Sequence, residues 1–314
     1  MQTVVVIGEI LVEIMADTAG TGFLTPMPLT GPFPSGAPAI FCDQVAKLGQ
    51  PCGLVSAVGA DDFGRINLDR LQADGVDISA IAVDPTRPTG SAFVRYRSDG
   101  GRDFIFNIVH SACGVLAPST AADALIARAG HLHVMGSSLA SASVAALTLD
   151  AARRVKSAGG TVSFDPNLRR EMLGQPGLRD AMLQVLALTD LFLPSGDELT
   201  LLTEATSDDA ALQELLARGL RAVVHKRGSG GARYHDGTTS VSVAGFPVRE
   251  IDPTGAGDSF GAAFVTFWLR GMDPAAALRR AAAAGALAVC KRGPMEGTSD
   301  SATLDDFLQK QTGA

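Results

Sequence analysis

The sequence has 314 residues, which predicts one large domain with a small appended one, because single hydrophobic cores stop growing near ~250–300 residues. Hydrophobic residues make up 46% of the chain and aromatic residues 5%, so the core should be aliphatic and alanine-rich, as in layered α/β proteins. The net charge of −7, without a run of Lys or Arg, argues against nucleic acid and anionic membranes as partners.

The cysteines and the N-terminus indicate a cytoplasmic protein. The thiols form neither a CxxC pair nor a metal-ligand spacing, so they read as reduced and mostly buried. They are Cys42, Cys52, Cys113 and Cys290. The opening "MQTVVVIGEI" lacks the charged region and cleavage site of a signal peptide. No apolar run approaches the ~20 residues that a membrane span needs.

Short apolar runs alternate with amphipathic patterns along most of the chain. The runs predict strands at 3–8, 52–59, 131–137, 161–165, 191–195 and 222–228. The amphipathic patterns predict helices at 38–49, 62–74, 142–157, 178–189 and 208–218. This alternation predicts a doubly wound α/β fold with a mainly parallel sheet flanked by helices on both faces.

Two stretches break the alternation. "SAFVRYRSDGGRDFIFN" (91–107) has two β-rich arms around Asp99-Gly100-Gly101, which predicts a hairpin. The Pro/Gly-rich region 20–38 reads as irregular or extended chain. We therefore expect a single domain over 1–314 that carries a small β-sheet lid formed by about 10–35 and 88–108. A second hairpin, at the edge of the main sheet, is expected around Asp236-Gly237.

The stretch "DPTGAGDSF" (252–260) leads into a further amphipathic helix. Gly255, Ala256 and Gly257 lie where the loop enters that helix, so unhindered amides at the positive end of the dipole would form an anion site. Asp258 could be a capping acid, or it could accept a hydroxyl proton during phosphoryl transfer. A cap does not need small residues on both sides, and this favours phosphoryl chemistry.

Seven stretches together resemble the ribokinase-like (PfkB) carbohydrate kinases, nearest the fructokinase, tagatose kinase and 2-keto-3-deoxygluconate kinase branches. "DPTGAGDSFGAAF" is similar to the C-terminal signature of that family. Six further stretches match in the family's order: "VVVIGEILVE" (4–13), "SGAPAIFCDQVAKLG" (35–49), "AVGADDFG" (57–64), "FDPNLR" (164–169), "PSGDE" (194–198) and "KRGSGG" (226–231). The resemblance covers residues 4 to about 297 and implies an ATP-dependent sugar kinase.

The resemblance also implies roles for individual residues. Asp258 would be the catalytic base, and the amides of Gly255, Ala256 and Gly257 would hold the transferred phosphoryl group. The sugar would be bound by Glu13, Gly36, Ala37 and Arg169. ATP would be bound by Asp165, Asn167, Ser195, Glu198, Lys226, Gly228 and Gly231, with Glu198 holding Mg²⁺ through water. Asp252, Thr254 and Gly293 would form a monovalent-cation site for K⁺, and the lids of two subunits would clasp in a homodimer.

Plainer interpretations stay open for several of these residues. Gly228 and Gly231 could be turn residues, Lys226 an ordinary edge-strand lysine, and Asp165 and Arg169 a structural ion pair. The sequence also departs from the family, since Ile40, Ser195 and Ala282 stand where relatives commonly have Asn. Ile40 removes a hydroxyl partner from the sugar pocket, which argues against ribose specificity.

The substrate expected from these motifs is a small sugar with a primary hydroxyl, D-tagatose or D-fructose. The alternatives are 2-keto-3-deoxygluconate, with Arg169 facing its carboxylate, and a non-catalytic sugar-binding regulator on the same fold. A nucleotide-dependent oxidoreductase is disfavoured, because "GEILVE" lacks the further glycines of a G-x-G-x-x-G loop.

Overall fold

A computed structural model of the chain describes residues 1–20, 22–98, 101–168 and 174–312. The strands are β1 (Thr3–Ile7), β2 (Leu11–Ala16), β3 (Leu29–Ser35), β4 (Cys52–Gly59), β5 (Ile81–Asp84), β6 (Gly90–Tyr96), β7 (Arg102–Asn107), β8 (Ala129–Met135), β9 (Thr161–Asp165), β10 (Leu191–Phe192), β11 (Ala222–Lys226), β12 (Ala232–His235) and β13 (Ser240–Val243). The helices are α1 (Ala37–Lys47), α2 (Asp62–Ala73), α3 (Thr120–Ala127), α4 (Ala142–Ser157), α5 (Leu178–Leu186), α6 (Glu198–Leu201), α7 (Asp208–Ala217), α8 (Ala256–Leu269), α9 (Pro274–Ala288) and α10 (Ser301–Thr312). Across the described ranges, no helix is both long enough and apolar enough to cross a membrane.

The main sheet contains nine strands within the described residues, in the order β13-β12-β11-β10-β9-β8-β1-β4-β5. Neighbouring strands from β11 through β5 in this order run parallel, and β12 and β13 add an antiparallel hairpin at one edge. The predicted hairpin at Asp236-Gly237 is thus confirmed. Because the carboxyl ends of parallel strands share one edge of a sheet, the loops after β9, β10 and β11 lie together there.

Apolar side chains cover both faces of this sheet, as the predicted doubly wound fold requires. Along β1, Val5 and Ile7 belong to the core on one face, and Val4 and Val6 belong to the core on the other. The second of these cores also contains buried Phe264 of α8. The fold class predicted from the sequence is confirmed.

A separate small sheet has the order β3-β2-β6-β7. Its strands lie within the ranges 10–35 and 88–108 predicted for the lid, although a lid function remains a proposal. Asp99 and Gly100, at the expected tip of the β6–β7 hairpin, lie outside the described residues. The chain re-enters the main domain at Gly36, whose φ is 112° and where an added Cβ would lie 2.5 Å from the Glu9 carbonyl oxygen. Only glycine fits this close approach between the two parts.

Candidate active site

The N-terminus of α8 forms the centre of the site. Gly255 caps this helix with φ 79°, and an added Cβ there would lie 2.3 Å from the Pro294 carbonyl oxygen, so the position requires glycine. The amides of the first turn of a helix have no intrahelical acceptor. Gly255, Ala256 and Gly257 therefore present backbone N–H groups at the helix end, where Ala256 N makes a long 3.5 Å contact with the Pro253 carbonyl oxygen, and buried Asp258 follows them in the same turn.

Asn167 holds the Asp258 carboxylate through a side-chain hydrogen bond. Its side-chain nitrogen Nδ2 donates to Asp258 Oδ1 at 2.9 Å. Asn167 follows β9 in a left-handed conformation with φ 42°, and its backbone N–H donates to Asp165 Oδ1 at 3.1 Å. Asparagine tolerates this conformation better than most residues. The loop after β9 therefore orients the acid on α8.

Lys226 places a positive charge next to the helix N-terminus. Its ammonium group forms an ion pair with Asp165, and both side chains are buried. A methyl group added to Gly257 would lie 3.7 Å from Lys226 Nζ. Because Lys226 ends β11, an interior strand, the alternative of an ordinary edge-strand lysine is wrong. Among the described residues, the ion-pair partner of Asp165 is Lys226. Arg169, which was the partner expected in the structural ion pair, lies outside the described residues.

Glu198 is fixed by backbone donors on both carboxylate oxygens. Leu168 N donates to Oε1 at 2.8 Å and Ser195 N donates to Oε2 at 2.7 Å. Burial raises the pKa of Glu198, and the nearby negative charge of Asp165 raises this pKa further. A buried carboxylate whose charge is destabilised in this way suits a divalent cation, and Mg²⁺ uses one or two carboxylates while keeping several waters. The residues present therefore fit Mg²⁺.

The other residues predicted to bind the nucleotide lie near the carboxyl ends of β10 and β11. Ser195 is exposed and bridges to the backbone of Lys226. Gly231 has a packing reason to be glycine, because a Cβ would lie 2.0 Å from the Val243 carbonyl oxygen. Gly228 has φ 54° and open space around it, so its backbone is accessible. A turn with positive φ therefore accounts for glycine at both positions, and Gly228 in addition leaves its backbone open to a ligand.

A cavity of about 700 Å³ opens beside Asp258 and extends beneath the small sheet. It is lined by the predicted sugar-site residues Glu13, Gly36 and Ala37, and by Asn167, Thr254 and Asp258. Phe104 and Phe106 of β7 contribute apolar surface. Ile40, at the position where the family resemblance implies an Asn, also lines the cavity. The cavity therefore adjoins the anion site at the end where Asp258 lies.

Glu9 is a residue of the site that was not predicted from the sequence. It lines the cavity, is 9% exposed, and accepts hydrogen bonds from the hydroxyls of Ser137 and Ser138. It lies in the stretch "VVVIGEILVE" (4–13), where Glu13 was the acid expected to bind the sugar. The two serines follow β8, more than 120 residues away, so the contact could not be inferred from local sequence.

The residues predicted for a monovalent cation meet around Asp252. This fully buried carboxylate accepts hydrogen bonds from Thr254 N at 3.0 Å, from Gly293 N at 3.0 Å, and from the hydroxyl of Tyr96 at 2.9 Å. Burial and the charge of Asp252 raise the pKa of Tyr96, so the phenol stays protonated as the donor. The negative charge of this buried carboxylate and its hard oxygen atoms suit a cation. These residues therefore fit a monovalent ion, although Tyr96 was not foreseen.

A helix N-terminus, a buried acid, a lysine and a carboxylate pair at the carboxyl edge of a doubly wound sheet define a phosphotransferase site. The family model described as "pfkB family carbohydrate kinase" matches residues 1–301. The chain belongs to this family, and the predicted assignments as a ribokinase-like protein and an ATP-dependent carbohydrate kinase are confirmed.

Known proteins that resemble the chain differ in substrate. An E. coli protein assigned as a ribokinase II, solved with ATP and Mg²⁺, is 48% identical with a TM-score of 0.92, covering 99% of this chain and 100% of that one. A double mutant of the Vibrio cholerae fructokinase, solved with fructose, ADP and potassium, is 29% identical with a TM-score of 0.84 and 98% coverage of both chains. The 2-dehydro-3-deoxygluconokinase of Thermoproteus tenax is 31% identical, covering 98% of this chain and 95% of the relative.

Proposed function

We propose that the protein transfers the γ-phosphoryl group of ATP to a primary hydroxyl of a ketohexose, D-tagatose or D-fructose. The observation that carries this proposal is the position of Asp258, which lines the 700 Å³ cavity and also belongs to the first turn of α8. A sugar hydroxyl in that cavity can meet a base and an anion site at once.

The chain's own residues account for the main demands of phosphoryl transfer. Asp258 takes the proton of the attacking hydroxyl, and Asn167 keeps the carboxylate oriented. The amides of Gly255, Ala256 and Gly257 stabilise charge on the transferring group. The ammonium of Lys226, next to Gly257, adds a positive charge in a buried setting where electrostatic interactions are strong.

The charge of the cavity favours a neutral sugar. Glu9, Glu13 and Asp258 line it, and none of its described lining residues is Lys, Arg or His. The carboxylate of 2-keto-3-deoxygluconate would face like charges there, whereas the hydroxyls of a ketohexose can donate to the acids. Arg169, the residue that favours the acid substrate, lies outside the described residues. Because the T. tenax relative is a 2-dehydro-3-deoxygluconokinase, the keto-acid is included in the substrate assay.

Two cations complete the proposal. Glu198 would hold Mg²⁺ through water, and the ion would neutralise charge on the ATP phosphates. Asp252, Thr254 and Gly293 would hold K⁺, by analogy with the potassium ion in the Vibrio cholerae structure. The E. coli relative carries ATP with Mg²⁺, which supports the binding of ATP and Mg²⁺ by this chain.

Assembly and location are proposed on separate grounds. The small sheet exposes apolar side chains such as Ile105, which is 49% exposed, and burial of such side chains against a second subunit would be favourable. We propose that two lids pack together in a homodimer. A monomer by light scattering at micromolar concentration would exclude it. The four free thiols are consistent with the cytoplasm as the proposed location.

A coupled ADP-release assay tests the substrate. D-tagatose, D-fructose, 2-keto-3-deoxygluconate and D-ribose are compared at equal concentration with ATP and Mg²⁺. We expect the highest kcat/KM with a ketohexose. A higher value with the keto-acid would reverse the specificity argument. Sugar binding by calorimetry without any ADP formation would instead favour the non-catalytic regulator.

A further inference from the structure

The end of the β6–β7 hairpin lies directly on the loop that leads into the anion site. Tyr96 and Arg102 are cross-strand partners in this hairpin, so their side chains lie on the same face. Tyr96 donates to Asp252 Oδ1 at 2.9 Å, and Arg102 Nη1 donates to Thr254 Oγ1 at 3.0 Å. One hairpin face therefore contacts two positions of the loop just before Gly255.

A third contact ties this loop to the sugar side. Thr254 Oγ1 donates to Glu13 Oε1 at 3.3 Å, and Glu13 belongs to β2 of the same small sheet. Asp252 and Thr254 are 0% and 6% exposed, so these hydrogen bonds form where water competes little. The loop is thus held by side chains from three strands of the small sheet.

The geometry points to Tyr96 and Arg102 as positioning residues that hold the 252–257 loop in its phosphoryl-binding conformation. The hairpin bearing them also supplies Phe104 and Phe106 to the cavity wall, so the sheet that surrounds the sugar fixes the anion site as well. The position of the small sheet on the main domain and the conformation of the anion site are therefore coupled. This inference rests on the proposed phosphoryl transfer for its kinetic readout only.

Hydrogen exchange of the ligand-free, full-length protein tests the anchoring without reference to any substrate. In Tyr96→Phe and Arg102→Gln we expect the amides of residues 254–258 to exchange about tenfold faster, since each substitution removes one hydrogen bond to this loop. Amides in β1 and α9 should be unchanged. Exchange at 254–258 identical to wild type would overturn the inference, whatever the protein phosphorylates.

Kinetics supply the second readout. Each variant should lose about tenfold in kcat, the effect of one hydrogen bond that involves a charged group, with KM for the sugar changed far less. Arg102→Lys, which keeps the charge and one donor, should recover part of the loss. Equal losses in Arg102→Lys and Arg102→Gln, or a rise in KM with kcat intact, would contradict a positioning role.

Matched controls exist elsewhere in the chain. Tyr234 donates to Asp236 at the edge hairpin, and Arg128 pairs with Asp77 on the surface. Tyr234→Phe and Arg128→Gln should leave both the exchange at 254–258 and the kcat unchanged. An equal effect in these controls would mean that the loop responds to general destabilisation, and the assignment would fall.

Discussion

The two ends of the site are built differently. At the phosphoryl end, each side chain is held by partners from the main domain: Asn167 holds Asp258, Asp165 holds Lys226, and two backbone amides hold Glu198. At the sugar end, the cavity wall is shared with the small sheet and is largely apolar, with Glu9 and Glu13 as its buried acids. A reaction centre held by polar contacts of the main domain beside a largely apolar sugar cavity suits a fold on which one reaction can serve different sugars.

The largest effect should come from the base. Asp258→Asn keeps the shape of the side chain but cannot take a proton, so turnover should fall by roughly 10²–10⁴-fold, the usual contribution of a positioned base. This corresponds to about 3–5 kcal/mol in the barrier. Affinities for ATP and sugar, measured by calorimetry, should change much less.

A capping aspartate provides the matched control for that substitution. Asp273 caps α9 by accepting from Ala275 N at 3.0 Å and from Ala276 N at 3.1 Å. Asp273→Asn should have little effect on stability or turnover, because Asn and Asp cap equally well. If Asp258→Asn behaves like Asp273→Asn and keeps more than about a tenth of wild-type turnover, Asp258 is a cap and not a base.

The next effect concerns the buried ion pair. Lys226→Met removes the positive charge next to Gly257, so turnover should fall about a hundredfold, as for loss of one donor to a developing anion. It also leaves Asp165 buried and uncompensated, which should cost about 3 kcal/mol of unfolding free energy in urea titrations.

The double variant Asp165→Asn/Lys226→Met separates these two losses. Stability should largely return, because no buried charge is left unpaired, while turnover should stay low. Recovery of turnover in the double variant would show that Lys226 only neutralises Asp165 and has no part in phosphoryl transfer.

The sequence predicted the phosphoryl end of the site better than the sugar end. The strands and helices with clear periodicity were predicted within a few residues, whereas the helices α3 (Thr120–Ala127), α6 (Glu198–Leu201) and α10 (Ser301–Thr312) were not assigned from the sequence. Asp258 and its glycines lie in one local motif. Tyr96 and Arg102 reach the same loop across 156 and 152 residues of sequence, and contacts of that range leave no local signal.

At the sugar end, Glu9→Gln should act mainly on binding. The amide keeps the size and can still accept from Ser137 or Ser138, but it weakens the hydrogen bond that a sugar hydroxyl donates to a carboxylate. We expect KM for the preferred ketohexose to rise about tenfold, with kcat nearly unchanged. Glu214→Gln on α7, where the carboxylate pairs with Arg218, is the control. A fall in kcat without a change in KM would place Glu9 at the phosphoryl end instead.

The smallest effect should be that of potassium, which tests whether the two ends are joined through the 252–254 loop. Asp252 is fully buried and already accepts three hydrogen bonds, so the loop is ordered before an ion binds. Potassium should therefore refine the anion site rather than create it, and turnover in potassium buffer should exceed that in tetramethylammonium by roughly fivefold, near the lower end of coupling between sites. Because Arg102 places a positive charge at Thr254, Arg102→Gln should increase this ratio. Identical rates in the two buffers, for wild type and for Arg102→Gln alike, would mean that the hairpin contacts order the loop without any ion.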